Sequence, residues 1–597
     1  MVRDRHLLMR THPIMRRRSA DFLVIVCVLF SFGMSALLSR DVFERLPHLE
    51  DEIAYLYQAR ILARGQLTID TPQPRLAFWQ PFVIDHEGSR FGKYPLGYPA
   101  QLALGEAAGA PWMVNALLGA LAVAVIYRLG CAYFSRHVGA IAALLLAFSP
   151  MALLLNATLM GHTSALCFTL LFMWAYQRLE ASASSGWGLL AGAAFGMIIA
   201  NRPLAALGVA LPYAAWSLIR LWGAGQRGGM AFWRTLRPLA LLSAVALLFA
   251  ATIPLFSLVA LGDPLASPYT RIWAYDRVGF GECCGRSGHT LAKAFNHLRW
   301  DLSLLAADLH GLQLGAIDDA AIEHLRAQAD TYPNPGMSFA LPALGGLVVF
   351  WRRRWHLALW LGIGALGLAL AVLAPALFDT PAGAWLWVCG AGAWLMGGGY
   401  ALLARRTRPA GWLIMGVALM PFIVHMTYWI GSQRYSTRYY YEALGALALL
   451  SALALARLTE RLRWRWAATL LVIGCVVTLI TYSLPRIGVL RGFNGVSQSW
   501  IDEARARGGD APLLVIVTGT DLSWRAMGSF MAVTSPFLDS PIVAAYNPVR
   551  TPGDEGMRQA LIERFPDRVV IDLTAQGADA AFAGGAALNE ALSSPAR

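Results

Sequence analysis

The feature that most constrains this chain is a series of apolar runs, each near the length of a membrane-spanning helix, with arginine-rich turns between them. A spanning helix takes about 20 mostly apolar residues, and shorter runs serve where helices tilt or neighbours shield them. Thirteen candidates fit: 21–38, 111–130, 138–156, 158–177, 187–201, 203–220, 238–261, 338–351, 355–377, 383–404, 411–430, 442–457 and 466–484. Composition agrees, because 57% of the 597 residues are hydrophobic and 14% charged, where a soluble domain carries roughly a quarter charged residues. Mean hydropathy is +0.50. Lipid is therefore the main solvent. The expected fold class is an all-α polytopic membrane protein of thirteen transmembrane helices with a small α/β domain at its carboxyl end.

A formal net charge of +13 would suit a nucleic-acid partner if the arginines formed a surface. They sit instead in short turns between apolar runs, where cytoplasmic loops collect positive charge, so nucleic-acid binding is set aside. The first run follows Arg16, Arg17 and Arg18 with no small-residue cleavage site, which reads as a retained signal anchor with a cytoplasmic amino terminus. Cytoplasmic turns then carry Arg128 and Arg136, Arg178, Arg220 to Arg237, Arg352 to Arg354, Arg405 to Arg408, and Arg457 to Arg465. An odd number of spans places the carboxyl terminus outside, in a multi-pass protein of the cell (inner) membrane. The stretch 187–220 also reads as one hairpin broken around Asn201, Arg202 and Pro203. Of seven cysteines, Cys27, Cys131, Cys167, Cys389 and Cys475 lie in apolar runs, and Cys283 and Cys284 are adjacent. No disulfide framework or metal-ligand spacing follows from them.

This topology divides the chain into a membrane domain at 1–484, with outer loops 39–110 and 262–337, and an outer tail at 485–597. The tail reads as strand 512–519, helix 522–533, strand 541–546, helix 554–565 and strand 568–573, without a glycine-rich phosphate loop. It is expected to be a cap or docking domain.

Chemistry concentrates in the outer loops. Glu50, Asp51 and Glu52 stand together soon after the first span, where carboxylates suit a general base or a divalent cation, and where a solvated helix start is the plainer alternative. No other cofactor is indicated. Arg434 and Arg438 lie on the outer side, against the orientation rule and among four tyrosines, with Glu442 nearby. Arginine clamps phosphate bidentately; an aromatic belt with interfacial arginines is the alternative. Arg202 lies in an apolar stretch, where a charge needs a partner, either a salt bridge or a phosphate. His162 near a helix end has both a binding and a purely structural reading. The loop 267–290 adds Arg271, Asp276, Arg277 and His289 as lining for a sugar site or as a structural cap.

The acidic pair, the following amphipathic helix DEIAYLYQARILARG (51–65) and the run Lys93-Tyr94-Pro95-Leu96 resemble the GT-C glycosyltransferases. The nearest branch is that of the protein O-mannosyltransferases and aminoarabinose transferases, glycosyltransferase family 39, whose second motif reads Lys-Pro-Pro-Leu. The resemblance in topology covers about 1–480 and the motifs lie within 51–99. It implies inverting transfer from a polyprenyl-phosphate sugar to an unidentified glycan, lipid or protein acceptor at the outer face of the bilayer. Asp51 matches the base position with Glu52 beside it; Lys93, Arg202, Arg434 and Arg438 would hold the donor phosphate. Tyr55, Tyr94, His162, Arg271, Arg277, His289, Tyr439 and Glu442 would contact substrate. His162 stands near the place where members often carry a second acid, and imidazole does not replace a carboxylate in base or metal chemistry. A transporter or flippase for lipid-linked sugars, or a noncatalytic binding subunit, is the competing class. Transporters favour inverted repeats and midplane polar sites, whereas this chain shows no repeat and gathers its polar residues in outer loops.

Overall fold

Every described apolar run forms a helix in the computed structural model, which describes residues 17–313, 323, 336–350, 409–431, 434–519, 524–549 and 555–574. The expected spans 355–377 and 383–404, and the arginine turns 352–354 and 405–408, lie outside the described residues. The helices begin with α1 (Arg17–Asp41), α2 (Glu50–Ala63), α3 (Gly97–Ala107), α4 (Val114–Tyr133), α5 (Arg136–Phe148), α6 (Pro150–Asn156) and α7 (His162–Ser182). They continue with α8 (Ser185–Asn201), α9 (Pro203–Gly225), α10 (Gly229–Ala250), α11 (Thr252–Leu261), α12 (Pro268–Ile272) and α13 (Leu291–Asp308). Further helices are Ala340–Phe350, Pro409–His425, Leu444–Leu458 and Trp464–Thr478.

Six described helices are long and apolar enough to cross a membrane, or seven if α5 and α6, bent by 59°, form one span. The expected thirteen is thus not the count among the described residues. Part of the difference has local causes among the described residues. Pro150 and the extended Ser149 break the third run. Helix α7 begins His-Thr-Ser and carries Gln-Arg-Leu-Glu-Ala-Ser at its end, which dilutes its apolar character. Helix α8 stops after 17 residues at Asn201, where Arg202 takes φ −146° and ψ 83° before Pro203.

The 187–220 stretch is a hairpin with its apex at Arg202. Asn201 Nδ2 donates to Ser164 Oγ at the start of α7 (2.7 Å), while Trp216 Nε1 donates to Glu180 Oε1 at its far end (2.5 Å). The far end of the bundle also joins Tyr127 to Asp21 (2.6 Å) and sets His137 edge-on against Trp464 (4.5 Å). The arginine-rich turns that were described gather there. Burial separates core from rim: the span beginning at Arg438 is 83% buried over its most apolar window, against 22% for the one beginning at Trp464 and 28% for α10–α11. The first presents its residues from a fixed core, and the others face lipid.

At the opposite end, strands β1 (Ile69–Asp70), β2 (Val83–His86) and β3 (Ser89–Gly92) form an antiparallel sheet in the order β1-β3-β2. Glu87 and Gly88, both at positive φ, close the two-residue turn between β2 and β3, as the twist of a hairpin requires. Strand β3 delivers Lys93 directly. Gly97 then admits α3 close against α8, where a Cβ would lie 2.6 Å from the Ala200 carbonyl oxygen.

The tail carries strands β4 (Leu513–Gly519), β5 (Ile542–Pro548) and β6 (Val569–Thr574), all parallel in the order β5-β4-β6, with helices Trp524–Val533 and Arg558–Arg564 in the connections. It packs against the first loop. Leu46 and Ile53 share a core with Val515, Trp524, Met527 and Phe530, and Arg60 donates to the carbonyls of Ala532 (2.6 Å) and Thr534 (3.2 Å). This corrects the reading of 51–65 as amphipathic. Residues Glu52 to Ala59 are all buried, because the bundle covers one side of α2 and the tail covers the other.

Candidate active site

Three neighbouring carboxylates open α2, and successive residues of a helix point about 100° apart, so each meets different partners. Glu50 accepts Arg434 Nη1 on both oxygens (2.8 and 3.0 Å) and Trp524 Nε1 (3.1 Å). Asp51 accepts Tyr94 OH on Oδ1 (2.6 Å) and Arg438 Nη2 on Oδ2 (3.4 Å). Glu52 accepts four donors: the backbone N–H of His48 (2.8 Å), Leu49 (3.0 Å) and Leu159 (2.7 Å), and Tyr435 OH (3.1 Å).

These patterns separate the two residues expected to be catalytic. Glu52 stitches the entry of α2 to the 157–161 turn and to Tyr435. Burial pushes its carboxyl up to about 7, against the pull of those hydrogen bonds. For Asp51 burial also raises the value, but Arg438 first, then Lys93, the Tyr94 hydroxyl and Arg434, outweigh it and hold the carboxyl below its usual range. Asp51 is thus ionised at neutral pH, with one oxygen held only by a long contact.

Glu52→Ala should strand several buried donors and lower stability by roughly 2–5 kcal/mol, read as a fall in the thermal midpoint in detergent. The pH dependence has a definite sign. A carboxyl whose folded value, about 7, exceeds its ordinary 4.5 takes up a proton on folding, so the midpoint should fall as pH rises through that interval. Glu52→Gln should flatten this slope; an unchanged slope would remove Glu52 as its source.

All four expected phosphate ligands lie at this end, each against a different carboxylate. Arg202 Nη1 meets Glu442 Oε1 at 2.6 Å and Arg434 meets Glu50 at 2.8 Å, whereas Arg438 is 3.4 Å from Asp51 and Lys93 Nζ is 3.8 Å from Asp276. The last two are too long for strong hydrogen bonds, so Arg438 and Lys93 are the least committed cations. Lys93 is boxed by aromatic rings, 3.6 Å from the Phe82 centroid and 5.1 Å from those of Tyr94, Tyr269 and Trp273. Burial lowers its pKa, opposed by Asp276, Asp51 and Glu50.

The turn before Arg438 is strained. Tyr435 and Ser436 hold φ of 55° and 60°, a conformation that costs about 1–3 kcal/mol per non-glycine residue. It sends Arg434 to Glu50 and Arg438 to Asp51. Ser436 Oγ, Thr437 Oγ1, and Arg438 Nε and Nη1 are buried without hydrogen-bond partners, four donor atoms in three successive residues.

Tyr439 forms the centre of the adjoining wall. Its ring stacks on His162 (6.4 Å) and His425 (5.8 Å) and lies under the guanidinium groups of Arg202 (5.8 Å) and Arg438 (5.5 Å). His162 is buried at the start of α7 with neither ring nitrogen hydrogen-bonded. Tyr55 lies against Tyr94 (4.4 Å) and Tyr98 (5.1 Å).

The residues of the loop 267–290 divide between the cluster and its margin. Arg271 and Arg277 are exposed, and Arg277 Nε donates to its neighbour Ala274 O (3.1 Å). His289 bonds the Met426 carbonyl (2.9 Å) and stacks on Phe280, fastening the loop instead of entering the cluster. Asp276 is the residue that reaches in, oriented by Tyr428 OH (2.8 Å) and Trp429 Nε1 (3.0 Å). No spacing in the sequence couples Asp276 to Lys93, or Trp524 to Glu50. Among the described residues no group of three or more His, Cys, Asp or Glu is arranged to hold a metal ion.

The site is thus a cluster of carboxylates facing cations, at the end of a helical bundle where its long loops gather. Over part of its length the chain resembles one glycosyltransferase family: a profile described as dolichyl-phosphate-mannose-protein mannosyltransferase matches residues 101–226. That segment holds His162 and Arg202 but lies outside the 51–99 motifs, so the two signals are separate. Curated proteins give no match. Among solved structures, the chain is similar to ArnT from Cupriavidus metallidurans bound to undecaprenyl phosphate, at 16% identity over 94% of this chain and 90% of that one, with a TM-score of 0.47. It is also similar to the Archaeoglobus fulgidus oligosaccharyltransferase in complex with zinc and sulfate, at 16% identity over 86% and 62%, TM-score 0.41. For the S. cerevisiae Pmt1–Pmt2 complex bound to the sugar donor the values are 15%, 42%, 34% and 0.31.

Proposed function

We propose that this enzyme transfers a sugar, with inversion, from a polyprenyl-phosphate donor to an acceptor hydroxyl at the extracytoplasmic face of the inner membrane. The observation that carries the reading is the ionised Asp51 carboxylate beside Arg438, whose Nε and Nη1, with the Ser436 and Thr437 hydroxyls, are buried donors awaiting acceptors. A phosphate supplies several acceptor oxygens. A donor held by its lipid tail brings that phosphate to headgroup depth, where the loops leave the bundle.

In the reaction Asp51 takes the proton of the acceptor hydroxyl as its oxygen attacks the anomeric carbon. The bond to the phosphate oxygen breaks with its electron pair, and the departing phosphate gains charge. Arg438 and Lys93 stabilise that charge, with Arg202 behind them, an interaction stronger in the transition state than in the ground state. Arg434 orients Glu50, and Glu52 fixes the entry of α2. Tyr439 and His162 offer a flat wall and two ring nitrogens to the sugar.

The direct test is a transfer assay with purified protein, a panel of polyprenyl-phosphate sugars and candidate glycan, lipid and peptide acceptors. Release of polyprenyl phosphate coupled to glycosylated product is expected for one pairing. Donor binding without transfer to any acceptor would support a binding subunit instead. Orientation is checked separately by introduced cysteines: positions 132 and 407 should label only from the cytoplasmic side, and 88, 285 and 585 from outside. Outside labelling at 132 would place the site on the wrong face for this function.

A further inference from the structure

Among the described cysteines, Cys27, Cys131, Cys167 and Cys475 lie in helices of the bundle. Cys283 and Cys284 differ: they occupy the loop between α12 and α13 at the site end, with Sγ atoms 2.9 Å apart, Cys283 exposed and Cys284 buried. The turn around them is tightly specified. Gly279, Gly281, Gly285 and Gly288 all have positive φ, and Gly281 and His289 exchange backbone hydrogen bonds of 2.8 and 2.9 Å across its base. Gly279 N donates to Thr427 O (2.8 Å) and Gly285 N to Tyr275 O (2.9 Å). A Cβ on Gly285 would lie 2.8 Å from Trp429 Cβ. The turn that carries the pair is thus packed, through Gly285, onto Tyr275 and Trp429; Trp429 and its neighbour Tyr428 hold Asp276, the counter-ion of Lys93.

We propose that Cys283 and Cys284 form a disulfide between adjacent residues, a redox-labile clasp on the loop that carries Asp276. The proposal rests on the reading above that this face is extracytoplasmic, where disulfides form and persist. Neighbouring Cα atoms are about 3.8 Å apart, shorter than the roughly 4.4–6.8 Å of ordinary disulfide partners, and a bond made outside that range is more readily reduced. Linking adjacent residues also removes almost no loop entropy from the unfolded chain. Its effect is therefore local: it fixes the turn that presents Asp276, without stapling the fold.

The chemistry follows from exposure. The exposed Cys283 thiolate attacks the disulfide of an oxidant, either an exported thiol–disulfide oxidoreductase or a small-molecule disulfide, and expels one of its thiolates. The Cys284 thiolate then attacks Cys283 Sγ, forming the Cys283–Cys284 bond and releasing the second thiolate. The two cysteines lose two electrons and two protons in all, and the oxidant leaves as two thiols.

The test uses the full-length protein, purified from membranes without reductant and quenched in denaturant with a maleimide, followed by peptide mapping. The peptide carrying both residues should be unlabelled, lighter than the dithiol by two hydrogens, and should take two labels only after phosphine reduction. Two labels before reduction overturn the proposal. A cysteine introduced at residue 88 in a Cys283→Ser/Cys284→Ser background separates the causes of failure. Free thiols with outside labelling at 88 reject the clasp alone, whereas cytoplasmic labelling at 88 rejects the orientation as well. Mild reduction should also weaken donor binding severalfold in the parent and leave the double-serine variant unchanged. Equal binding before and after reduction in the parent rejects the coupling to the Asp276 loop.

Discussion

Asp51→Asn is expected to reduce transfer by about 10²- to 10⁴-fold, the usual loss when a general base is removed, with folding, membrane insertion and donor binding kept. Asparagine still accepts Tyr94 OH on its oxygen and still fills the space at the start of α2. It has no carboxylate to take the acceptor proton. The thermal midpoint should move little, in contrast to Glu52→Ala, because Asp51 bonds side chains where Glu52 holds backbone. The pH profile supplies a second readout. With Arg438 and Lys93 holding the Asp51 carboxyl below its ordinary range, the acid limb of kcat/KM should lie below the ordinary carboxylate value. Near-parental turnover by a folded Asp51→Asn protein would sink the assignment of the base.

Arg438→Lys is expected to be the next most damaging change, although charge is conserved. Arginine presents a planar fork of donors, and here Nη2 reaches Asp51 while Nε and Nη1 are unpartnered. Lysine supplies a single point charge and cannot hold Asp51 and a phosphate along two fixed directions. The loss should appear in kcat as well as in KM, because the leaving phosphate gains charge as the glycosidic bond breaks; a fall of about 10²- to 10³-fold in kcat/KM matches the loss of one preorganised electrostatic donor. Arg202→Lys and Arg434→Lys should cost less, since their short bonds to Glu442 and Glu50 already engage them. If all three variants bind and turn over donor like the parent, these arginines are interfacial anchors and the phosphate is held elsewhere at this end of the bundle.

Much of the architecture follows from local chemistry that a reader of the residues can follow. Apolar runs become helices because lipid offers no partners to the backbone. The arginine turns fall at one end for electrostatic reasons, and the tail's β-branched runs pair as strands within a residue or two of their expected limits. The acidic cluster at 50–52 and the cations at 93, 202, 434 and 438 were legible as candidates because buried or wrongly sided charge is expensive and uncommon. The number of spans was less legible: a proline at 150 and polar ends on α7 change whether a run counts as one crossing, and hydropathy summed along a window does not register a bend.

What tertiary structure alone decided is the division of labour within those charges. Asp51 and Glu52 are neighbours of nearly the same chemistry, yet one faces Arg438 and Tyr94 while the other is consumed by the backbone of residues 48, 49 and 159. That difference depends on helix phase and on a turn more than 100 residues away, neither of which composition encodes. The pairing of Lys93 with Asp276, and of Glu50 with both Arg434 and Trp524, joins segments far apart in the chain. The sequence by itself determined which residue types are too costly to bury without a purpose; only the packing of the loops and tail over α2 decided which of them face one another, because ion-pair partners are chosen by distance in space and not by distance along the chain.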